Sequence, residues 1–190
     1  QQMVVLYRGQ IRAASAYSDD HGESWQLGEL TGTEANENKA VQLPDGRVLM
    51  NSRAPGQRLQ TVSTDGGHSY GELVPVPDLP DPGDNGSICA VTADGGQLLL
   101  LLTNNRDAAL RRNTVLSVSF DDGQRWSPVH SICPGSSAYT TAALLADGSL
   151  GVLFERDGYQ DIAFTRIGPG RLTPEALAEA AARYREDPGG

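Results

Sequence analysis

The stretch SDDHGESW at residues 18–25 returns as STDGGHSY at 63–70 and as SFDDGQRW at 119–126, so the spacing S-x-D-x-G-x-x-(W/Y) occurs three times. Self-similarity at a period of roughly fifty residues reports whole structural units, so it is read before any single motif. Each copy has the make-up of a tight turn. The Ser and Asp side chains can bond backbone amides, Gly supplies a conformation other residues resist, and the closing aromatic packs under the next strand. Between the copies lies a second repeated element, an apolar run on either side of Asp-Gly: VQLPDGRVLM (41–50), VTADGGQLLLLL (91–102) and LLADGSLGVLF (144–154). Asp-Gly between such runs predicts a hairpin closed by a two-residue type I′ turn. One Asp-Gly hairpin and one box hairpin make four short strands. That is the content of a β-propeller blade, which needs its neighbours to bury both faces of its sheet. The predicted fold class is therefore all-β, a β-propeller.

The tail departs from this pattern. LTPEALAEAAARYRE (172–186) offers Thr173 as N-cap, Pro174 at the first helical position and Glu175 in the first turn, with Leu172 and Leu177 placed as a hydrophobic staple. It predicts one C-terminal α-helix lying against the outside of the last blade. The expected organisation is blades over 1–171 and a terminal helix and tail over 172–190. DLPDPGDNG (78–86) reads as a loop between blades.

Composition narrows the function classes. A formal net charge of −9 argues against nucleic acid or an anionic membrane surface as the main partner. No apolar run reaches the length of a membrane span. QQMVVLYRG at the start lacks the features of a signal peptide and reads as a strand of a middle blade, as if the chain began inside a longer one. Cys89 and Cys133 are too few for a disulfide framework, and with His21, His68 and His130 scattered in turns no metal site and no cofactor are expected.

Some residues are not explained by turn chemistry. Glu37 and Arg53 flank the first Asp-Gly turn at equal distance, nearly opposite one another at the open end of that hairpin, and Tyr139 and Glu155 stand in the same relation to Asp147. At the corresponding distance from Asp94 stand Gly86 and Leu102, so such pairs are not a general blade requirement. A cross-strand ion pair and a satisfied tyrosine would account for them without any function.

The boxes match the Asp box of sialidases (neuraminidases). NENKAVQLPDGRVLMNSR (36–53) and SAYTTAALLADGSLGVLFE (137–155) resemble the glutamate-arginine and tyrosine-glutamate segments of bacterial exo-sialidases. The resemblance extends to about Arg171 and implies a six-bladed propeller of which this chain is about the C-terminal half. By that resemblance Tyr139 is the nucleophile, Glu37 takes its proton, and Arg53 is the second arginine of a triad that grips the substrate carboxylate. RRNTVLSVSFDDG (111–123) resembles the segment with the third arginine, at Arg111 or Arg112, and Glu155 matches the glutamate that orients the first. The first arginine and the aspartic acid/base have no counterpart in this sequence, so an N-terminal propeller half is expected in the same or a second chain.

The residue types suit the chemistry. A sialoside carries a carboxylate on its anomeric carbon, which repels a carboxylate nucleophile but not a neutral tyrosine. Free tyrosine, with a pKa of about 10, needs an adjacent base. Arginine forks bind a carboxylate through paired hydrogen bonds. The resemblance implies a retaining exo-α-sialidase acting on sialylated glycans, secreted or periplasmic because its substrate lies there. A trans-sialidase would use the same residues. A sialic-acid-binding propeller would need neither Glu37 nor Tyr139, and an interaction scaffold would need no polar pairs at all.

Overall fold

The structure is a computed structural model that describes residues 2–7, 9–33 and 36–186; Gln1, Arg8, Glu34, Ala35 and the tail residues 187–190 lie outside the described residues. The strands, in chain order, are β1 (Gln2–Tyr7), β2 (Gln10–Tyr17), β3 (Gln26–Thr33), β4 (Asn38–Gln42), β5 (Val48–Ser52), β6 (Pro55–Ser63), β7 (Val74–Pro82), β8 (Ser87–Thr92), β9 (Leu98–Asn105), β10 (Arg112–Ser119), β11 (Ser127–Leu144), β12 (Leu150–Arg156) and β13 (Asp161–Ile167). A single 3₁₀ turn (Pro169–Arg171) leads into helix α1 (Pro174–Glu186).

Every strand pair is antiparallel, and β4-β5-β6-β7 forms a complete four-stranded meander. β8-β9-β10 is completed by the first part of β11, whose second part starts the next blade by pairing with β12. The chain therefore walks around the propeller one blade at a time. In the complete blades the box joins the third strand to the fourth, so β1-β2-β3, with its box between β2 and β3, corresponds to strands two to four of a blade.

The three boxes share one geometry. Ser18, Ser63 and Ser119 accept from the glycine amide four residues on (2.7, 2.8 and 2.8 Å). Asp20, Asp65 and Asp121 accept from the amide four residues beyond themselves (2.9 Å in each). The residue before that glycine is left-handed in every copy: His21 (φ 60), Gly66 (φ 77) and Asp122 (φ 56). These bonds close within the box, so the turn is self-sufficient. The second and third boxes then dock on the preceding blade. Gln60 Nε2 reaches Gly123 O (2.8 Å), and His68 O accepts from Glu29 N (2.8 Å) while its ring stacks on Tyr17 at 3.8 Å.

The leucine run shows why blades need neighbours. In β9, Leu99 and Leu101 enter one cluster with Leu116, Leu150, Val152 and Ile167, while Leu100 and Leu102 enter another with Leu49, Val76, Leu79 and Trp126. Alternation places successive side chains on opposite faces, and both faces are covered by a blade.

Four expectations are corrected. The Asp-Gly turns hold three residues: Leu43 N bonds to Arg47 O (2.8 Å), Gly46 N bonds to Leu43 O (3.0 Å) and Gly46 takes the left-handed place (φ 88), a turn closed by a glycine bulge in place of the two-residue type I′ turn. This makes Glu37 and Arg53 directly opposed, with Arg53 N bonded to Glu37 O at 3.0 Å. In the middle hairpin Ala93 pairs with Gln97, one residue out of phase, so its equivalent positions are Ser87 and Thr103 rather than Gly86 and Leu102. Residues 78–82 of the expected loop continue β7, whose outermost place in its sheet tolerates proline because one edge needs no ladder hydrogen bonds. Trp126 is buried (3% exposed) but Trp25 is 54% exposed, since no blade preceding the first box is present among the described residues.

Helix α1 begins as read, with Thr173 Oγ1 accepting from Ala176 N at 3.2 Å and both Leu172 and Leu177 buried. It packs along β11, the outer strand of the preceding blade, and completes the cluster that β9, β10 and β12 share.

Candidate active site

The turns fall at two ends. Boxes and Asp-Gly turns lie at one, while Glu37 before β4, Arg53 after β5, the β7–β8 and β9–β10 loops and the β12–β13 turn lie at the other. At this second end three of the sequence-derived residues, Glu37, Arg53 and Arg111, converge on the phenol of a fourth, Tyr139. Tyr139 Oη donates to Glu37 Oε1 (2.9 Å) and accepts from Arg53 Nη1 (2.8 Å), which also bonds Glu37 Oε2 at 2.6 Å. The Arg53 and Arg111 guanidinium carbons stand 5.7 and 5.6 Å from the Tyr139 ring centre, a cation–π distance. Arg112 turns away to an exposed ion pair with Asp107 at 2.6 Å, so of the two adjacent arginines Arg111 faces the tyrosine.

Tyr139 owes its placement to a β-bulge. The β11–β12 register shifts between Ser137↔Arg156 and Thr140↔Phe154, which frees the Tyr139 amide from the ladder. That amide donates to Glu155 Oε2 at 3.1 Å. Glu155 thus holds the bulge that aims the phenol.

Beneath the site runs a buried polar network that sequence reasoning missed. Arg58, 1% exposed, donates to Asn51 Oδ1, to Asp81 Oδ2 (2.8 Å) and to Asp84 O (3.1 Å). Asp81 Oδ1 accepts from the amides of Gly83 (2.9 Å) and Asp84 (2.7 Å), fixing the β7–β8 loop. Asn105 Nδ2 bonds Asp84 Oδ2 (2.7 Å) and the carbonyls of Ser137 (3.0 Å) and Ala138 (3.1 Å), tying that loop to the strand before Tyr139. Thr140 N completes the tie by donating to Asn85 O at 3.1 Å. The one available signal was polar density: D-x-x-D-N-G at 81–86 and Asn104-Asn105 after a leucine run.

The electrostatics favour a protonated phenol at rest. Burial, and then the hydrogen bond to Glu37, push the Tyr139 pKa above its ordinary value against the opposing pull of Arg53. Burial lowers the Arg53 pKa, but the bond and charge of Glu37 outweigh it and the group is held above normal. Burial raises Asp84, and the charge of Arg111, 3.6 Å away, acts against that rise. A protonated phenol, a carboxylate and two guanidinium groups are therefore within reach of one another. A cleft of about 240 Å³ lined by Asn85, Tyr139, Leu153, Glu155 and Ile162 opens beside the phenol. Larger clefts, of about 470 and 510 Å³, lie along α1 away from these residues.

The BNR repeat-like domain profile matches residues 3–152. The chain is 42% identical to a sialidase of Micromonospora viridifaciens over 163 residues, covering 82% of this chain and 25% of that protein. Among solved structures it superposes on a Hadza microbial sialidase with a TM-score of 0.78 at 22% identity, covering 93% of this chain and 35% of that one. It superposes on the intramolecular trans-sialidase of Ruminococcus gnavus with a TM-score of 0.71 at 21% identity, covering 93% and 41%. The chain thus spans well under half the length of these relatives, and their folds are the propeller built here. It belongs to the BNR repeat-like family and is similar to these sialidases.

Proposed function

We propose that the protein containing this chain is a retaining exo-α-sialidase that removes terminal sialic acids from glycoconjugates. The observation that carries this reading is the Tyr139 hydroxyl held between the Glu37 carboxylate and the Arg53 guanidinium. Arg53 and Arg111 bind the substrate carboxylate. Tyr139 Oη attacks the anomeric carbon as its proton passes to Glu37 Oε1, and the bond to the aglycone breaks. An acid outside this chain protonates the departing oxygen, a step worth roughly 10²- to 10⁴-fold. Water then attacks the anomeric carbon and gives its proton to the same group outside this chain, now deprotonated, as the bond to Tyr139 breaks and Glu37 returns its proton to Tyr139 Oη, so two inversions give retention. A phenol whose pKa is raised does not ionise at rest, so base assistance at the moment of attack is required. Action outside the cell or in the periplasm follows from the substrate.

Transfer instead of hydrolysis is the second reading, favoured by the Ruminococcus gnavus relative described as an intramolecular trans-sialidase. Both readings share Tyr139. Tyr139→Phe in the full-length protein should abolish turnover of a fluorogenic α-sialoside while circular dichroism is unchanged, and undiminished turnover would remove the nucleophile assignment. Product identification by mass then separates free sialic acid from an anhydro or transferred product.

A further inference from the structure

The β12–β13 turn carries a feature that packing does not explain. Asp157, Gly158 and Tyr159 are left-handed in succession (φ 51, 66 and 68). An aromatic residue is an outlier in that region, yet Tyr159 is 58% exposed and gains little from burial. The turn is pinned to the strand that leads into Tyr139, with Asp157 N on Ser136 O (3.1 Å) and Gly158 N on Ser136 Oγ (3.2 Å). The Tyr159 hydroxyl accepts from Arg111 Nη1, and its ring centre lies 5.9 Å from the Arg111 guanidinium carbon. Asp84 Oδ2 lies 3.6 Å from Arg111 Nε, so the guanidinium is held at two of its three nitrogens. No partner occupies Nη2 among the described residues, which leaves that side free for a ligand. Backbone strain kept at an exposed position, with its side chain on an arginine of the site, is the pattern of strain retained for function.

We infer that Tyr159 is a positioning residue for carboxylate recognition, fixing Arg111 so that its free edge faces the cleft beside Tyr139. This rests on the sialidase reading above. Tyr159 acts through Arg111 and does not touch the reacting atoms, so it governs substrate affinity more than the chemical step. An ordinary structural tyrosine would lose stability on truncation. Here Tyr159→Gly relieves the left-handed strain, since glycine tolerates positive φ at no steric cost.

The test uses the full-length protein with a fluorogenic α-sialoside, comparing wild type with Tyr159→Phe and Tyr159→Gly. Loss of one hydrogen bond to a charged group in Tyr159→Phe should raise KM by about tenfold with kcat within about threefold. Tyr159→Gly should raise KM at least as far with a melting temperature equal to or above that of wild type. An unchanged KM in an active background overturns the inference and leaves the sialidase reading standing. A Tyr159→Gly protein that melts well below wild type, or a kcat that falls as far as KM rises, also overturns it. Wild type without sialoside turnover removes the functional reading, and this inference with it.

Discussion

Replacing Glu37 by Gln in the full-length protein isolates the base from the fold. The amide keeps the shape and an oxygen that can accept from Tyr139 Oη at the present 2.9 Å. It removes the charge that meets Arg53 Nη1 at 2.6 Å, and rotating to present its oxygen to Arg53 would turn its NH₂ on the phenol. Either way no group remains that can take the tyrosine proton. Loss of a general base costs about 10² to 10⁴ in rate, equivalent to about 3–5 kcal/mol of barrier. The ion pair itself is part-exposed, Glu37 at 34% and Arg53 at 21%, and such pairs contribute about 1 kcal/mol or less to folding. Activity should therefore fall far more than stability. Steady-state kinetics with an α-sialoside bearing a good leaving group reads the first quantity, and urea unfolding the second. That leaving group removes any need for acid assistance, so the loss reports Glu37 alone. A kcat/KM within about fivefold of wild type, with an unchanged unfolding midpoint, would refute the assignment of Glu37 as the base.

The remaining expectations concern the frame and the rim. Arg58→Ala strands Asp81, which is 0% exposed, and should cost about 3–5 kcal/mol in denaturant unfolding, as breaking one side of a buried pair does. Trp126→Ala removes a 3% exposed indole whose Nε1 bonds Gly123 O (3.1 Å) and Gln60 Oε1 (3.3 Å), and should cost about 3–5 kcal/mol by the same measurement. Burial raises the Asp84 pKa in the folded state, so the wild type gains stability below the unfolded carboxylate pKa and loses it as pH rises through the folded one. Asp84→Asn should therefore gain on wild type in melting temperature between acid and neutral pH, and a pH-independent difference would count against a raised Asp84.

Legibility in the sequence tracked how local the determinants are. The boxes were readable because every bond that closes them lies within eight residues, as between Ser63, Asp65, Gly67 and Ser69. The pairs Glu37/Arg53 and Tyr139/Glu155 were readable because a hairpin turn sets which residues face one another. Their convergence was not: Glu37 and Tyr139 are 102 residues apart, and nothing in either hairpin reveals that they share one hydrogen bond. Resemblance to known sialidases supplied that link. Asp84 and Asn105 escaped notice for the same reason, since their partners lie on other strands and repeat nowhere. Asp-Gly does not mark one fixed place in the turn: Gly95 occupies in the middle hairpin the place Asp45 occupies in the first, which shifts the phase of that hairpin by one residue.

The separation of the two ends follows from what each must do with backbone polar groups. At the box end every turn satisfies itself, so the blades can dock there through a few repeated contacts such as Gln60 to Gly123 O. At the other end the loops differ between blades. The β7–β8 loop closes partly on its own Asp81, which Arg58 of the same blade holds, and it reaches across blades through Asp84 and Asn105. The middle blade must pass beneath that network, which explains its small residues. A side chain on Gly86 would place Cβ 2.8 Å from Thr103 O and 2.9 Å from Arg58 Nη1. Ser87 and Thr103, at the positions where neighbouring hairpins carry Glu37, Arg53, Tyr139 and Glu155, are buried, and Thr103 Oγ1 meets Thr140 Oγ1 at 2.9 Å. Had the middle hairpin carried a large polar pair as well, the flanking blades could not bring Glu37 and Tyr139 within a hydrogen bond. The absence of a pair in that blade is therefore part of how the site is built.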